Sequence, residues 1–190
     1  MVCPSGDVAG DGPGGLPGGW LAAPADAVRG EAAALIARLG SAAWDRRQVP
    51  THLAVGSWVV AASGWVLLQR RRGAEHWGCL TAHVEPGQDP AAAATAVVRR
   101  VLGAEPVDVP LLCDMAPAVC LANRDARHLE ARFALRAPAG ARHLTLPDTD
   151  GYRLQWRTVH GALSTLPLLE ARRSLTRAWL AVRGQDTARS

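Results

Sequence analysis

Residues 51–62 (THLAVGSWVVAA) and 65–70 (WVLLQR) are two runs rich in β-branched and aromatic side chains, separated only by Ser63-Gly64. A two-residue gap leaves room for a tight turn and little else, so the pair is expected to form a β-hairpin. The fold must be built around that hairpin.

A helix follows it. Asp89-Pro90 is a helix start, with Asp as N-cap and Pro in the first turn; an alanine tract then runs to Leu102, and Gly103 supplies the stop. Ahead of the hairpin, Val28, Ala32, Leu35, Ile36 and Leu39 recur at helical spacing within residues 24–39, and Gly40 ends them. Residues 70–75 read as a polar loop and 77–81 as a short apolar piece. Further strands are expected at 107–121, interrupted near Pro110 and Pro117, and at 128–135 and 152–159. A final helix is expected over 166–182, carrying Leu168, Leu169, Leu175, Trp179 and Val182.

Composition narrows the chemistry. All 21 basic residues are arginine, so a Schiff-base lysine, a P-loop lysine and a pyridoxal-phosphate anchor are excluded. The net charge of +4 would suit an anionic partner, but the arginines are spread in doublets and triplets, and one Phe and one Tyr leave little for base stacking, although the seven Trp could contribute. Nucleic acid is therefore not the expected partner. Cys3, Cys79, Cys113 and Cys120 match neither a CxxC metal knuckle nor a dense disulfide framework. With no signal peptide and no apolar run of about 18 residues, the expectation is a cytoplasmic protein with reduced thiols and no membrane partner.

Several segments carry a family resemblance. Thr51-His52-Leu53-Ala54-Val55-Gly56 stands where many bacterial proteins have a segment like GHLTASA, and residues 65–70 look like the strand that follows it. Trp77 followed by Ala82-His83-Val84-Glu85-Pro86-Gly87-Gln88 looks like W…GGHVEPGE. Arg127-His128-Leu129-Glu130-Ala131-Arg132-Phe133 is similar to an HLD-x-RF strand, and Leu154-Gln155-Trp156 to an LRW strand. Together these residues resemble the Nudix hydrolase superfamily, in the right order over residues 45–182. The resemblance implies an α+β fold, a Nudix-type α/β/α sandwich with a mixed β-sheet, here with an added N-terminal helix. The expected organisation is a flexible Gly/Pro-rich leader over 1–19, an N-terminal helical segment over 20–50, a Nudix-like domain over 51–184 and a short tail over 185–190.

The family signature, G-x5-E-x7-R-E-U-x-E-E-x-G-U, presents glutamates on one helix face to bind Mg²⁺ or Mn²⁺ against a diphosphate. Laid onto this chain, its first glycine is Ala82 and its first glutamate Gln88; its R-E-U-x-E-E core reads Ala96-Val97-Val98-Arg99-Arg100-Val101. No carboxylate occurs from Pro90 to Ala104. Val97 and Val101 replace metal ligands with apolar surface, and Arg100 adds a cation beside them. The implied scaffold is kept; the implied mechanism is not.

His83 and Glu85 alternate in an extended segment beside the former metal loop, where they either fix the turn with Pro86-Gly87 or act as acid and base. His128, Glu130 and Arg132 share one strand face by period-two alternation, a face that borders the cleft in related proteins or is otherwise solvated. Trp77 is the aromatic ring most suited to stack on a planar ligand. Cys79 reads as a small buried residue. Zinc held by Cys79, Cys120 and His128 gains no support from their spacing, so neither a metal nor another cofactor is expected. Cys113 and Cys120, an odd number of positions apart, would face opposite sides of a regular strand.

The catalytic candidates are thus His83, Glu85, His128 and Glu130, and the ligand-binding candidates Arg100, Trp77, Arg132, Val97 and Val101. Three functions are open. The first is a protein that has lost Mg²⁺-dependent diphosphate hydrolysis and binds an anionic or partly apolar small molecule in the old cleft. The second is a repurposed, metal-independent enzyme performing an isomerisation, cyclisation or hydrolysis in a bacterial specialised biosynthetic pathway. The third is a residual nucleotide-type hydrolase with metal ligands elsewhere. Nudix-fold proteins are often dimers, so a homodimer is compatible with each.

Overall fold

The computed structural model describes residues 27–85, 87–108, 110–120, 125–147 and 151–187. The expected leader at 1–19, Pro24 at the expected start of the first helix, Pro86 of the expected turn, Leu121 at the end of one expected strand and the last residues of the tail lie outside the described residues.

β1 (Thr51–Ala61) and β2 (Trp65–Arg71) form the expected hairpin. Its connection is one residue longer than Ser63-Gly64, running from Ala62 to Gly64. Gly64 takes a φ of 78° that a residue with a Cβ rarely adopts, and its N–H donates to the Ala61 carbonyl. β3 (Leu80–His83), β4 (Leu111–Val119), β5 (Arg127–Arg136) and β6 (Tyr152–Thr158) complete one sheet of order β4-β5-β1-β2-β6, with β3 paired to β1. β1 and β5 run parallel and the other pairs antiparallel, so the sheet is mixed. With one edge of β1 taken by β5, the 11-residue strand shares its other edge between β3, along Ala54–Ser57, and β2, along Val59–Ala61.

Helices cover both faces. On one, α1 (Ala27–Leu39) and α2 (Pro90–Leu102) bury Ala32, Leu35, Ala93, Ala94, Val97, Val98 and Leu102 against Leu53, Val55, Val59, Leu67, Leu129 and Phe133. The ends of α2 follow the sequence: the Asp89 carboxylate accepts from the Ala92 N–H at 2.7 Å, and Gly103 closes the helix at φ 65°. On the other face, α3 (Val159–Thr165) and α4 (Leu169–Thr187) bury Val159, Ala162, Leu175, Ala178 and Val182 against Trp58, Val60, Val66, Leu68 and Ala134. A buried chain of hydrogen bonds pins α4: Trp58 Nε1 donates to Ser174 Oγ at 2.7 Å, and Ser174 donates to Asp114 Oδ1 at 2.9 Å. The result is the α/β/α sandwich with an N-terminal helix that the sequence implied.

Three local expectations change. Pro117 does not interrupt its strand, because β4 is an edge strand and need not donate on its open side. The final helix, α4, starts at Leu169 rather than at 166 and runs on to Thr187, into the expected tail, and a separate short helix, α3, precedes it where the expected strand ends. Thr158 caps α3 by accepting from Gly161 N–H, and Pro167 forces Leu166 into an extended conformation that ends it before α4 begins. Finally, Leu112 pairs with Phe133 but Asp114 with Arg132, so Cys113 is an extra residue in a bulge. The bulge resets the alternation: Cys113 packs in the α4-side core, and Cys120 also emerges on that side of the sheet, beside His128. Among the described residues no helix is long and apolar enough to cross a membrane.

Candidate functional site

The strand register brings three histidines together. His52 and His128 are paired residues of β1 and β5, while His83 pairs with Ala54, two residues along β1 from His52. By period-two alternation all three side chains project on the α4 side. Ala118 pairs with His128, which carries Cys120, just past the end of β4, to the same spot. One ligand atom from each of His52, His83, His128 and Cys120 lies within 4.8 Å of the others.

The geometry inside the cluster is close. His83 Nε2 is 3.1 Å from His128 Nε2 and 3.7 Å from Cys120 Sγ. His52 Nδ1 meets the Gln48 carbonyl at 3.0 Å; a carbonyl only accepts, so Nδ1 carries the proton and Nε2 keeps its lone pair. That Nε2 is buried and has no hydrogen-bond partner among the described residues. Behind His128, Glu130 Oε1 lies 3.9 Å from Nδ1, and Glu130 Oε2 accepts from Arg132 Nε at 3.3 Å. Burial pushes His52 below the ordinary imidazole range, against the pull of its bond to Gln48. Burial, then the neighbouring His128, His52 and Arg46, lowers His83 to about 4. Both rings are therefore neutral at pH 7.

His83 is half-buried and also faces a cleft of about 390 Å³ beside β3, bounded by α2 and the start of β6. Val97 and Val101 form its apolar wall, Gln69, Thr81 and Tyr152 contribute polar groups, and Arg46, Arg100 and Glu85 stand exposed around it. Of the residues singled out from the sequence, His83, Glu85, Arg100, Val97 and Val101 line this cleft. Glu130, Arg132 and Trp77 do not: they line a smaller pocket of about 200 Å³ with Trp58, Cys79 and the start of α4. His128 is not among the residues lining the cleft and meets it through His83. The Trp77 ring is flanked by guanidinium groups, with Arg70 Cζ at 4.9 Å and Arg157 Cζ at 5.5 Å from its centroid.

A hard divalent cation on α2 does not fit these residues. The 13 residues of the helix include no carboxylate, Val97 is buried, and Asp89 is engaged in capping. Sequence reasoning passed over His52 because it sits inside a run read as ordinary strand. Cys120 was weighed as a zinc ligand with His128 and Cys79; the structure brings it to His128, whereas the Cys79 thiol packs near Glu130 and Arg132.

No protein-family model and no curated protein matches the chain. Solved structures do. The Escherichia coli dihydroneopterin triphosphate pyrophosphohydrolase superposes with a TM-score of 0.50 at 19% identity, covering 65% of this chain and 91% of the other. A MutT Nudix hydrolase from Burkholderia pseudomallei gives 0.51 at 19% identity, covering 67% and 97%. The likeness shows that the chain has a Nudix-like fold.

Proposed function

We propose that this Nudix-fold protein has lost metal-dependent diphosphate hydrolysis and binds an anionic or partly apolar small molecule in the cleft beside β3. The observation that carries the reading is the face α2 turns to that cleft: Val97 and Val101 as apolar wall and Arg100 as a cation, where a diphosphate hydrolase of this fold needs carboxylates. Arg46 and Arg100 outnumber Glu85 around the cleft, which favours a negatively charged guest. A volume of about 390 Å³ suits a small organic molecule.

The reading of His83 as an acid or base has less support. Its Nε2 is directed at His128 and Cys120 rather than left to meet a ligand. Binding is therefore favoured over turnover.

Isothermal titration of the full chain with inorganic pyrophosphate and with ADP-ribose, each with and without Mg²⁺, tests the proposal. The expected result is Mg²⁺-independent binding, weakened at least tenfold in Arg100→Ala, with no product released. Mg²⁺-dependent hydrolysis that persists in Arg100→Ala would overturn it.

A further inference from the structure

We propose that His52, His83, His128 and Cys120 form a binding site for one Zn²⁺ ion, separate from the Mg²⁺ chemistry associated with this fold. Four ligands around a tetrahedral zinc, at its usual bond lengths, lie about 3.3–3.8 Å from one another. The two separations that define the heart of the cluster, 3.1 Å between His83 and His128 and 3.7 Å between His83 and Cys120, already sit near that range. The four atoms as a set lie within 4.8 Å, so closing on an ion requires only side-chain adjustment.

The independent indication is His52. Its proton is committed to the Gln48 carbonyl, which leaves a buried nitrogen lone pair with no donor among the described residues. A buried acceptor left unpaired costs about 1–3 kcal/mol, and a cation at the centre of the cluster would satisfy it. A backbone carbonyl holding the remote nitrogen of a ligating histidine is the arrangement that fixes tautomer and ring orientation in metal sites. Glu130 Oε1 lies 3.9 Å from the remote nitrogen of His128, within reach of it after a small rotation, and Arg132 holds Glu130.

The donor set selects the metal. Three imidazoles and a thiol are poor ligands for Mg²⁺ or Ca²⁺ and good ones for zinc. On binding, Cys120 gives its thiol proton to solvent and ligates as thiolate. With four protein ligands the site is closed, so the ion clips together β1, β3, β5 and the segment after β4 rather than activating water. Because His83 also faces the cleft, zinc would hold that cleft wall rigid. The site does not depend on what the cleft binds.

Full-length protein purified without chelators is expected to contain about one zinc per chain by elemental analysis. Metal-free protein titrated with Co²⁺ should show tetrahedral visible bands and a near-ultraviolet thiolate-to-cobalt charge-transfer band. Cys120→Ser should abolish the charge-transfer band and Cys79→Ser keep it. Glu130→Gln should weaken zinc roughly tenfold, His52→Ala should weaken it further, and Arg100→Ala, which tests the cleft, should leave it unchanged. Wild-type protein that is folded by circular dichroism, yet holds no zinc and gives no charge-transfer band with Co²⁺, overturns the proposal. So does a band that survives Cys120→Ser. The wild-type spectrum decides the matter even if a variant fails to fold.

Discussion

His52 and His128 stand side by side across the parallel β1–β5 pair, their rings meeting edge to face with centroids 4.8 Å apart. Both are buried near the starts of their strands, and His83 completes a triangle with centroid distances of 5.3 and 4.9 Å. Histidines 76 positions apart in sequence thus become neighbours only through the long crossover that makes β1 and β5 parallel.

The apolar wall of the cleft should resist restoration of the signature. Val97 is 4% exposed and packs in the α2-side core, whereas Arg100 is exposed. Val97→Glu therefore places a carboxylate where it is poorly solvated, and a loss of roughly 3 kcal/mol in urea denaturation is expected. Arg100→Glu should change stability by less than about 0.5 kcal/mol. Equal costs for the two substitutions would contradict the burial difference.

The hairpin, the capped α2 and the shared face of His128, Glu130 and Arg132 were legible because each rests on local chemistry: turn residues, an N-cap with a C-terminal glycine, and period-two alternation. The histidine cluster was not. It depends on register between strands distant in sequence and on the bulge at Cys113, which reverses the alternation that would have kept Cys120 off the side where Cys113 packs. Nothing in the spacing of Leu112, Cys113 and Asp114 announces a bulge. The division of the expected site into a cleft under α2 and a pocket under α4 was equally hidden, since it depends on where Glu130 and Arg132 meet the start of α4.

Gly56 is required for space rather than for backbone freedom. A Cβ there would lie 2.9 Å from Cys79 Sγ and 3.1 Å from Arg132 Cγ. Both neighbours are buried, so Gly56→Ala should destabilise by roughly 1–3 kcal/mol through overpacking. Cys79→Ala removes the closest atom. In a double-mutant cycle it should therefore cost less in the Gly56→Ala background than in the wild type; strict additivity would show that the strand shifts instead.

Ser174 is the middle of a buried polar route that holds α4 to β1 and β4 at once, receiving from Trp58 and donating to Asp114. Ser174→Ala leaves the buried indole N–H unsatisfied, at a cost of roughly 2 kcal/mol. Trp58→Phe removes the donor as well, so adding Ser174→Ala to it should cost clearly less. Chemical denaturation followed by circular dichroism measures both; a Ser174→Ala protein as stable as wild type would show that the hydrogen bonds contribute nothing net.

The alkaline limb of stability should be set largely by buried thiols. Burial first, and then the nearby Glu130 charge, raises the Cys79 thiol from 9.0 to about 12. Between those values the unfolded chain gives up the proton while the folded chain keeps it, so the native state binds more protons and stability falls as pH rises. The contribution is fully present below pH 9 and is lost progressively toward pH 12, at no more than about 1.4 kcal/mol per pH unit for one thiol. Few other groups obscure this window, because the chain has no lysine and one tyrosine. Urea denaturation under reducing conditions at a series of pH values above 9 should show wild-type stability falling and the fall becoming shallower in Cys79→Ala. The same burial should keep Cys79 unreactive toward iodoacetamide in the native state, since the thiolate is the nucleophile. Identical slopes for wild type and Cys79→Ala would mean that the thiol is not held protonated by the fold.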